Sequence, residues 1–165
     1  MKERVVILGS GESGTGAALL AQVKGFDVFV SDAGMISEKY KTDLADHNIL
    51  YEEGRHSADK ILNANLIIKS PGIPDKADII KAARSASIEI IDEIEFAFRY
   101  IKGKVIAVTG TNGKTTCAFL LAQALTHCGK PSAYAGTIGY GMPSQLIATT
   151  HTTSDAVTVH RQLAE

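Results

Sequence analysis

The sequence predicts an α/β protein: a Rossmann-like parallel-sheet domain followed by the first part of a second α/β domain of phosphate-loop type. Three observations carry this. Short, continuous apolar runs alternate with helical stretches along the chain. A glycine-rich loop directly follows the first run, and another follows the last run, about a hundred residues later. Strands covered by helices on both faces lack the in/out alternation of half-exposed strands, and a βαβα rhythm gives a parallel, doubly wound sheet.

In chain order, the runs at 5–8, 28–30, 66–68, 88–91 and 105–108 read as buried strands. Between them lie helical candidates at 14–25, 36–47, 75–86 and 93–101. A further helix is expected from Gly113 to about Cys128. Its apolar face is Cys117, Leu120, Leu121, Ala124, Leu125 and Cys128, and Gly129 with Pro131 ends it. The last stretch, 154–165, reads as a helix with Ser154 or Thr153 as its N-cap. One nucleotide fold rarely needs two glycine loops, so two domains are expected, 1–92 and 93–165, with the boundary near Asp92.

Composition narrows the classes. The 165 residues carry a net charge of −1 and 45% hydrophobic residues, which suits small globular domains and gives no electrostatic argument for nucleic acid or an acidic membrane surface. No apolar run reaches the roughly 18 residues of a membrane span. The start, Met-Lys-Glu-Arg before a short apolar run, is too charged for a signal peptide. Cys117 and Cys128 fall on one expected helix, roughly 16 Å apart at about 1.5 Å per residue, beyond disulfide reach. A reduced, cytoplasmic protein is the expectation.

The first loop, Gly9-Ser10-Gly11-Glu12-Ser13-Gly14, has the G-x-G-x-x-G spacing between a strand and a helix. Gly9 permits the tight turn, Gly11 lets backbone amides approach a diphosphate, and Gly14 lets the helix pack against the sheet. Asp32, ending the second strand, is placed to take ribose hydroxyls. By itself the pattern admits NAD, FAD, a UDP-sugar or a purely structural turn. Glu12 puts a carboxylate where dehydrogenases carry a small or apolar residue, which counts against NAD.

The second loop is more specific. The run at 105–108 leads into Thr109, then Gly110, Thr111, Asn112, Gly113, Lys114, Thr115 and Thr116, and a helix begins at once. Backbone N–H groups and the helix N-terminus can wrap β- and γ-phosphates while Lys114 adds a mobile charge. Thr115, directly after the lysine, is placed to ligate Mg²⁺. A four-residue spacer would need glycine at 108, where Val108 stands, so the loop is a shortened phosphate loop. Lys114 and Thr115 are the catalytic candidates, with ATP and Mg²⁺ as cofactors.

Residues 109–116 resemble the ATP loop of the Mur ligases and of folylpolyglutamate synthases, ATP-dependent enzymes that form amides through an acyl phosphate. The glycine loop, Val30-Ser31-Asp32, Ser70-Pro71-Gly72-Ile73-Pro74 and Glu93-Ile94-Glu95-Phe96 resemble the N-terminal domain of the Mur ligases that add D-glutamate. That resemblance implies a UDP-N-acetylmuramoyl peptide as substrate, with its UDP part held by Gly11, Glu12, Ser13, Gly14, Asp32, Ser70, Pro71 and Gly72. After about residue 117 the chain looks more like the Mur ligases that add the third peptide residue. Gly136-Thr137-Ile138-Gly139 stands where the D-glutamate pattern has Gly-Asn-Ile-Gly, and His151-Thr152-Thr153-Ser154-Asp155 follows. Thr137, Thr152 and Thr153 are substrate candidates on that ground. A fragment or a chimera of two ligases is thereby an open reading.

The family's remaining catalytic groups, an acidic metal ligand, a histidine, a carbamylated lysine and the amino-acid-binding domain, correspond to sequence beyond residue 165. The expectation is therefore that this chain is silent in ligation and self-associates through an uncovered second domain. An NAD-dependent oxidoreductase and a non-catalytic nucleotide-binding module are the alternatives. His47, His56 and His127 read as surface residues and His151 as a loop residue. Asp92, Glu93 and Glu95 read as first-turn acids complementing a helix dipole rather than as an acid/base pair.

Overall fold

The computed structural model describes residues 2–148. The chain divides into two units, with the boundary between Tyr100 and Ile101, not near Asp92. The reason is packing. The helix Glu93–Phe98 contributes Phe96, which is fully buried in the core of the first unit.

The first unit is a five-stranded parallel sheet: β1 (Arg4–Leu8), β2 (Asp27–Ser31), β3 (Leu50–Glu52), β4 (Leu66–Lys69) and β5 (Glu89–Asp92). Its order is β3-β2-β1-β4-β5, with Val6 level with Phe29 on one side and with Ile67 on the other. The connecting helices are α1 (Glu12–Val23), α2 (Glu38–Asp46), α3 (Ala58–Ile61), α4 (Asp78–Ser85) and α5 (Glu93–Phe98). Alternate residues of the central strands serve two cores. Val5 and Ile7 join Leu20, Leu44 and Phe96 on one face, while Val6 and Leu8 join Ile61, Ile67 and Ile80 on the other. Burial on both faces is why these strands read as unbroken apolar runs. The chain leaves β1 toward β2 on one side and returns to β4 on the other, so the strand order reverses beside β1. Ligands of open α/β sheets bind at such a switch point.

The second unit contains α6 (Lys114–His127) and a two-stranded antiparallel hairpin of β6 (Tyr134–Gly136) and β7 (Gly139–Gly141). Phe119 of α6 packs edge-on against Tyr134, their ring centroids 5.7 Å apart. One expectation is corrected here. Residues 105–108 form no strand, and Val105 and Ile106 are exposed. A strand exists only through pairing, and among the described residues none pairs with this run. The apolar face of α6 is uncovered, in line with an uncovered second domain: Cys117, Leu120, Leu121 and Cys128 are exposed, and only Ala122 of the helix is buried. The helix expected at 154–165 lies outside the described residues.

Candidate functional site: two glycine loops at uncapped helix starts

In the first unit, the C-terminal ends of β1, β2 and β4 converge on the glycine loop. Ser31, the last residue of β2, accepts the Gly9 N–H on its carbonyl at 2.9 Å. Asp32 follows, and its Oδ2 accepts from both the amide and the hydroxyl of Ser10, at 2.7 and 2.9 Å. Its Oδ1 accepts from the Gly34 amide at 2.8 Å. Partial burial pushes the Asp32 carboxyl up, but the hydrogen bonds from Gly34 and Ser10 outweigh it and the net pKa is lowered. Asp32 thus shapes the glycine loop through Oδ2 and its own turn at Gly34 through Oδ1, a role beyond the ribose contact expected of it.

Gly9 has φ +94°, and a Cβ there would meet the Ser70 Cβ at 2.9 Å. The Ser70-Pro71-Gly72 turn is therefore a wall of the same site, anchored by the Ser70 amide on Leu8 O at 3.0 Å. Gly14 is the close-packing glycine: a Cβ would overlap the Gly9 carbonyl oxygen and lie 2.9 Å from its carbon. α1 begins after Gly11 with no side-chain cap, so its first-turn amides stay available to an anion. By contrast, α5 is closed by Asp92, which accepts the Glu95 amide at 2.7 Å. Gly11 and Ser13 are exposed and Glu12 is half-buried, so both sides of the loop rim carry polar groups. Glu93 lies in the first turn of α5, as expected of an acid that complements the helix dipole. It is buried and accepts from Ser13 Oγ at 3.2 Å.

In the second unit, α6 begins after Gly113, which has φ +77° and again no side-chain cap. Lys114 folds back over the loop, its Nζ donating to the carbonyls of Gly110 and Thr111. That holds the ammonium over a loop that leads into an uncapped helix start. Thr115 Oγ1 lies 2.8 Å from Thr137 Oγ1 in the β6–β7 turn, so the structure brings Thr137 to the phosphate loop. Among the described residues no cluster of three or more His, Cys, Asp and Glu could hold a metal. Thr115 offers the loop a side-chain hydroxyl. Thr152 and Thr153 lie outside the described residues.

Sequence reasoning missed Ser10, Glu52 and His56. His56 is half-buried rather than a surface residue, with Nδ1 2.7 Å from Ser31 Oγ. Burial lowers its pKa, against the opposing pull of Asp32 and Glu52. The available signal was Ser31-Asp32 itself, two polar residues ending an apolar strand and needing partners.

The chain is similar to known proteins in sequence and fold. Residues 4–79 match the MurD N-terminal domain and residues 108–165 match the Mur ligase middle domain. The chain is 52% identical over 149 residues to a UDP-N-acetylmuramoylalanine–D-glutamate ligase of Cytophaga hutchinsonii, covering 89% of this chain and 33% of that protein. It is 50% identical over 151 residues to the ligase of the same name from Porphyromonas gingivalis, covering 92% of this chain and 34% of that protein. The chain thus spans about a third of the length of the curated relatives it matches. Among solved structures it resembles a murein peptide ligase from Psychrobacter arcticus at 28% identity and TM-score 0.59, over 77% of this chain and 27% of that one. It also resembles the UDP-N-acetylmuramate–alanine ligase MurC of Thermotoga maritima at 25% identity and TM-score 0.55, over 95% and 35%. An alignment of 149 residues necessarily runs well past residue 117, so relatives named for D-glutamate addition also match the stretch read as resembling third-residue ligases, and that second resemblance gains no support. No helix among the described residues is long and apolar enough to cross a membrane. With a MurD-type N-terminal domain running into a middle domain that carries the phosphate loop, the chain belongs to the Mur ligase family.

Proposed function

We propose that this chain is the nucleotide-binding front of a cytoplasmic UDP-N-acetylmuramoylalanine–D-glutamate ligase. Its first unit holds the UDP part of UDP-N-acetylmuramoyl-L-alanine, and its second holds Mg²⁺-ATP. The observation that carries this is the presence, in one chain, of two uncapped glycine-started helices with different surroundings. One has Asp32 and the Ser70 turn beside it; the other has Lys114 and Thr115. ATP, when bound, supplies the phosphoryl group that turns a carboxylate into an acyl phosphate. The chain's own part is electrostatic. Amides of Gly113, Lys114 and Thr115 and the Lys114 ammonium would hold phosphate charge, and Thr115 would offer its hydroxyl to the cation. In the first unit, Gly11, Glu12, Ser13 and Gly14 would present the diphosphate cradle, with Ser70, Pro71 and Gly72 as its wall. Thr137, beside Thr115, would face the reacting end of the substrate, with Thr152 and Thr153 assigned there on sequence grounds alone. The exposed Val105, Ile106, Leu120 and Leu121 support self-association of this chain in isolation, which light scattering would measure.

Calorimetric titration of the chain with UDP, NAD and Mg²⁺-ATP tests the reading. UDP and Mg²⁺-ATP binding independently, with NAD ineffective, is the expected result. Lys114→Ala should weaken Mg²⁺-ATP by about 1.5–3 kcal/mol, the scale of a charge-assisted hydrogen bond, while leaving UDP untouched. NAD binding in preference to UDP would overturn the assignment of the first unit, and an unaffected Lys114→Ala would overturn that of the second.

A further inference from the structure

Behind the first glycine loop lies a polar network that touches no part of the expected diphosphate cradle. Glu52 ends the edge strand β3 and is only 7% exposed. Its Oε1 accepts from Ser31 Oγ at 2.9 Å and from the Ser57 amide at 2.7 Å, and its Oε2 lies 3.4 Å from Lys60 Nζ. Burial pushes this carboxyl up, but hydrogen bonds from Ser57, Ser31 and Lys60 bring it down to about 2, so it is ionised and accepts only. Ser31 Oγ has one proton and three close neighbours: Glu52 Oε1, the Arg55 carbonyl at 3.3 Å and His56 Nδ1 at 2.7 Å. Giving that proton to His56 would leave the ionised Glu52 Oε1 facing an unprotonated oxygen at 2.9 Å, so the Ser31 proton goes to Glu52. His56 Nδ1 must then carry the proton that fills the remaining contact, because otherwise two unprotonated atoms would face each other at 2.7 Å.

Ser31 and Asp32 in turn hold the start of the glycine loop, the carbonyl of one on the Gly9 amide and the carboxylate of the other on Ser10. Backbone bonds tie the two layers together. The Asp32 amide donates to Glu52 O at 3.0 Å, the Arg55 amide to Asp32 O at 3.3 Å and the Gly54 amide to Gly34 O at 2.9 Å.

We propose that Glu52 and His56 are positioning residues for the first nucleotide site, acting in relay through Ser31 and Asp32 to hold Gly9 and Ser10 in the ligand-accepting shape, with His56 donating from Nδ1. The relay itself rests on the hydrogen bonds above; only its effect on nucleotide binding rests on the UDP reading of the first unit. The side chains of Glu52 and His56 bond to Ser31, Ser57 and Lys60 and not to the glycine loop itself, so their removal acts through loop geometry.

The test uses the full chain and two variants chosen by nitrogen position. His56→Asn keeps a donor near Nδ1, whereas His56→Gln moves it to the place of Nε2. Amide hydrogen exchange of Gly9 and Ser10, read by NMR, should quicken in His56→Gln and stay near the parent's rate in His56→Asn. UDP affinity should fall about fivefold to tenfold in the Gln variant, the size of one lost hydrogen bond, and by less than twofold in the Asn variant. Mg²⁺-ATP affinity should be the same in all three proteins. Equal protection in both variants and the parent overturns the relay, and so does equal loss in both variants. If the exchange pattern holds while no protein binds UDP, the relay stands and the UDP reading of the first unit falls.

Discussion

The two glycine loops share a plan, a glycine at the start of an uncapped helix, yet each needs its glycine for a different reason. In the first loop, Gly14 sits inside a finished structure: it has ordinary helical backbone, and what forbids a side chain is the Gly9 carbonyl pressed against it. In the second, Gly113 has open space around it, with only Cys117 Sγ as near as 4.0 Å to a built Cβ, and it is its φ of +77° that disfavours other residues. The surroundings differ in the same sense. Every fully buried large apolar side chain among the described residues, from Ile7 to Phe96, belongs to the first unit. The second buries Ala122 and Tyr134. One loop is shaped by what packs on it, the other by its own backbone. Substitutions in the two should therefore fail in different ways.

The largest effect is expected at Gly14. Gly14→Ala puts a methyl into a backbone carbonyl that is itself fixed through Gly9 and Ser31, so neither partner can yield cheaply. We expect a loss of more than about 3 kcal/mol of unfolding free energy, measured by urea denaturation of the first unit's transition. A loss below about 1 kcal/mol would mean that the loop relaxes, and that its shape is not set by packing.

The same contrast explains what could be read from the sequence. The strands at 5–8, 28–30 and 66–68 were legible because both their faces are buried, which forces a continuous apolar run. The short edge strand β3 was not. Leu50 is 73% exposed and Glu52 points inward, so its pattern resembles no buried strand. The run at 105–108 has a strand's composition but no neighbour to pair with among the described residues, and composition cannot supply one. Both glycine loops announced themselves because their chemistry is local in sequence. Glu52 and His56 did not, since they reach Ser31 from 21 and 25 residues away, and nothing in spacing alone ties those positions together.

A second way to sharpen the comparison is acid. Buried carboxylates among the described residues, Glu52 and Glu93, belong to the first unit. Glu52 has a folded pKa of about 2 against an ordinary 4.5. Its ionised form is favoured by folding, so its contribution is fully present above about pH 4.5 and is lost as pH falls toward 2. The shift corresponds to roughly 3 kcal/mol at most. His56 adds to this earlier. Burial lowers its pKa below 6.5, so folding favours the neutral ring, and acidification below that value begins to cost stability. Denaturation of the parent and of Glu52→Gln at pH 7, 4.5 and 2.5 separates the two. The variant should be less stable at pH 7 and lose less between pH 4.5 and 2.5. Parallel curves for the two proteins would show that Glu52 is not the group that titrates.

The smallest effect on stability, and the one that most directly distinguishes the loops, is expected at Gly113. A non-glycine residue in the left-handed region costs about 1–2 kcal/mol, and here no steric overlap adds to it. Because the loop is exposed and α6 is covered mainly near Ala122, the chain can release that strain by letting the loop change shape while the rest stays folded. The cost then moves from folding to ligand binding, which requires the original shape. Gly113→Ala should therefore leave the urea transition of the first unit unchanged and weaken Mg²⁺-ATP by about fivefold to thirtyfold, the same energy expressed as affinity. Asparagine tolerates the left-handed region better than alanine, so Gly113→Asn should bind more tightly than Gly113→Ala. At Gly14 the order must reverse, since there the larger side chain meets the same carbonyl with more atoms. Titration of both pairs of variants with Mg²⁺-ATP, alongside their urea transitions, decides the matter. If asparagine is worse than alanine at both positions, bulk governs both loops and the distinction between packing and backbone conformation fails.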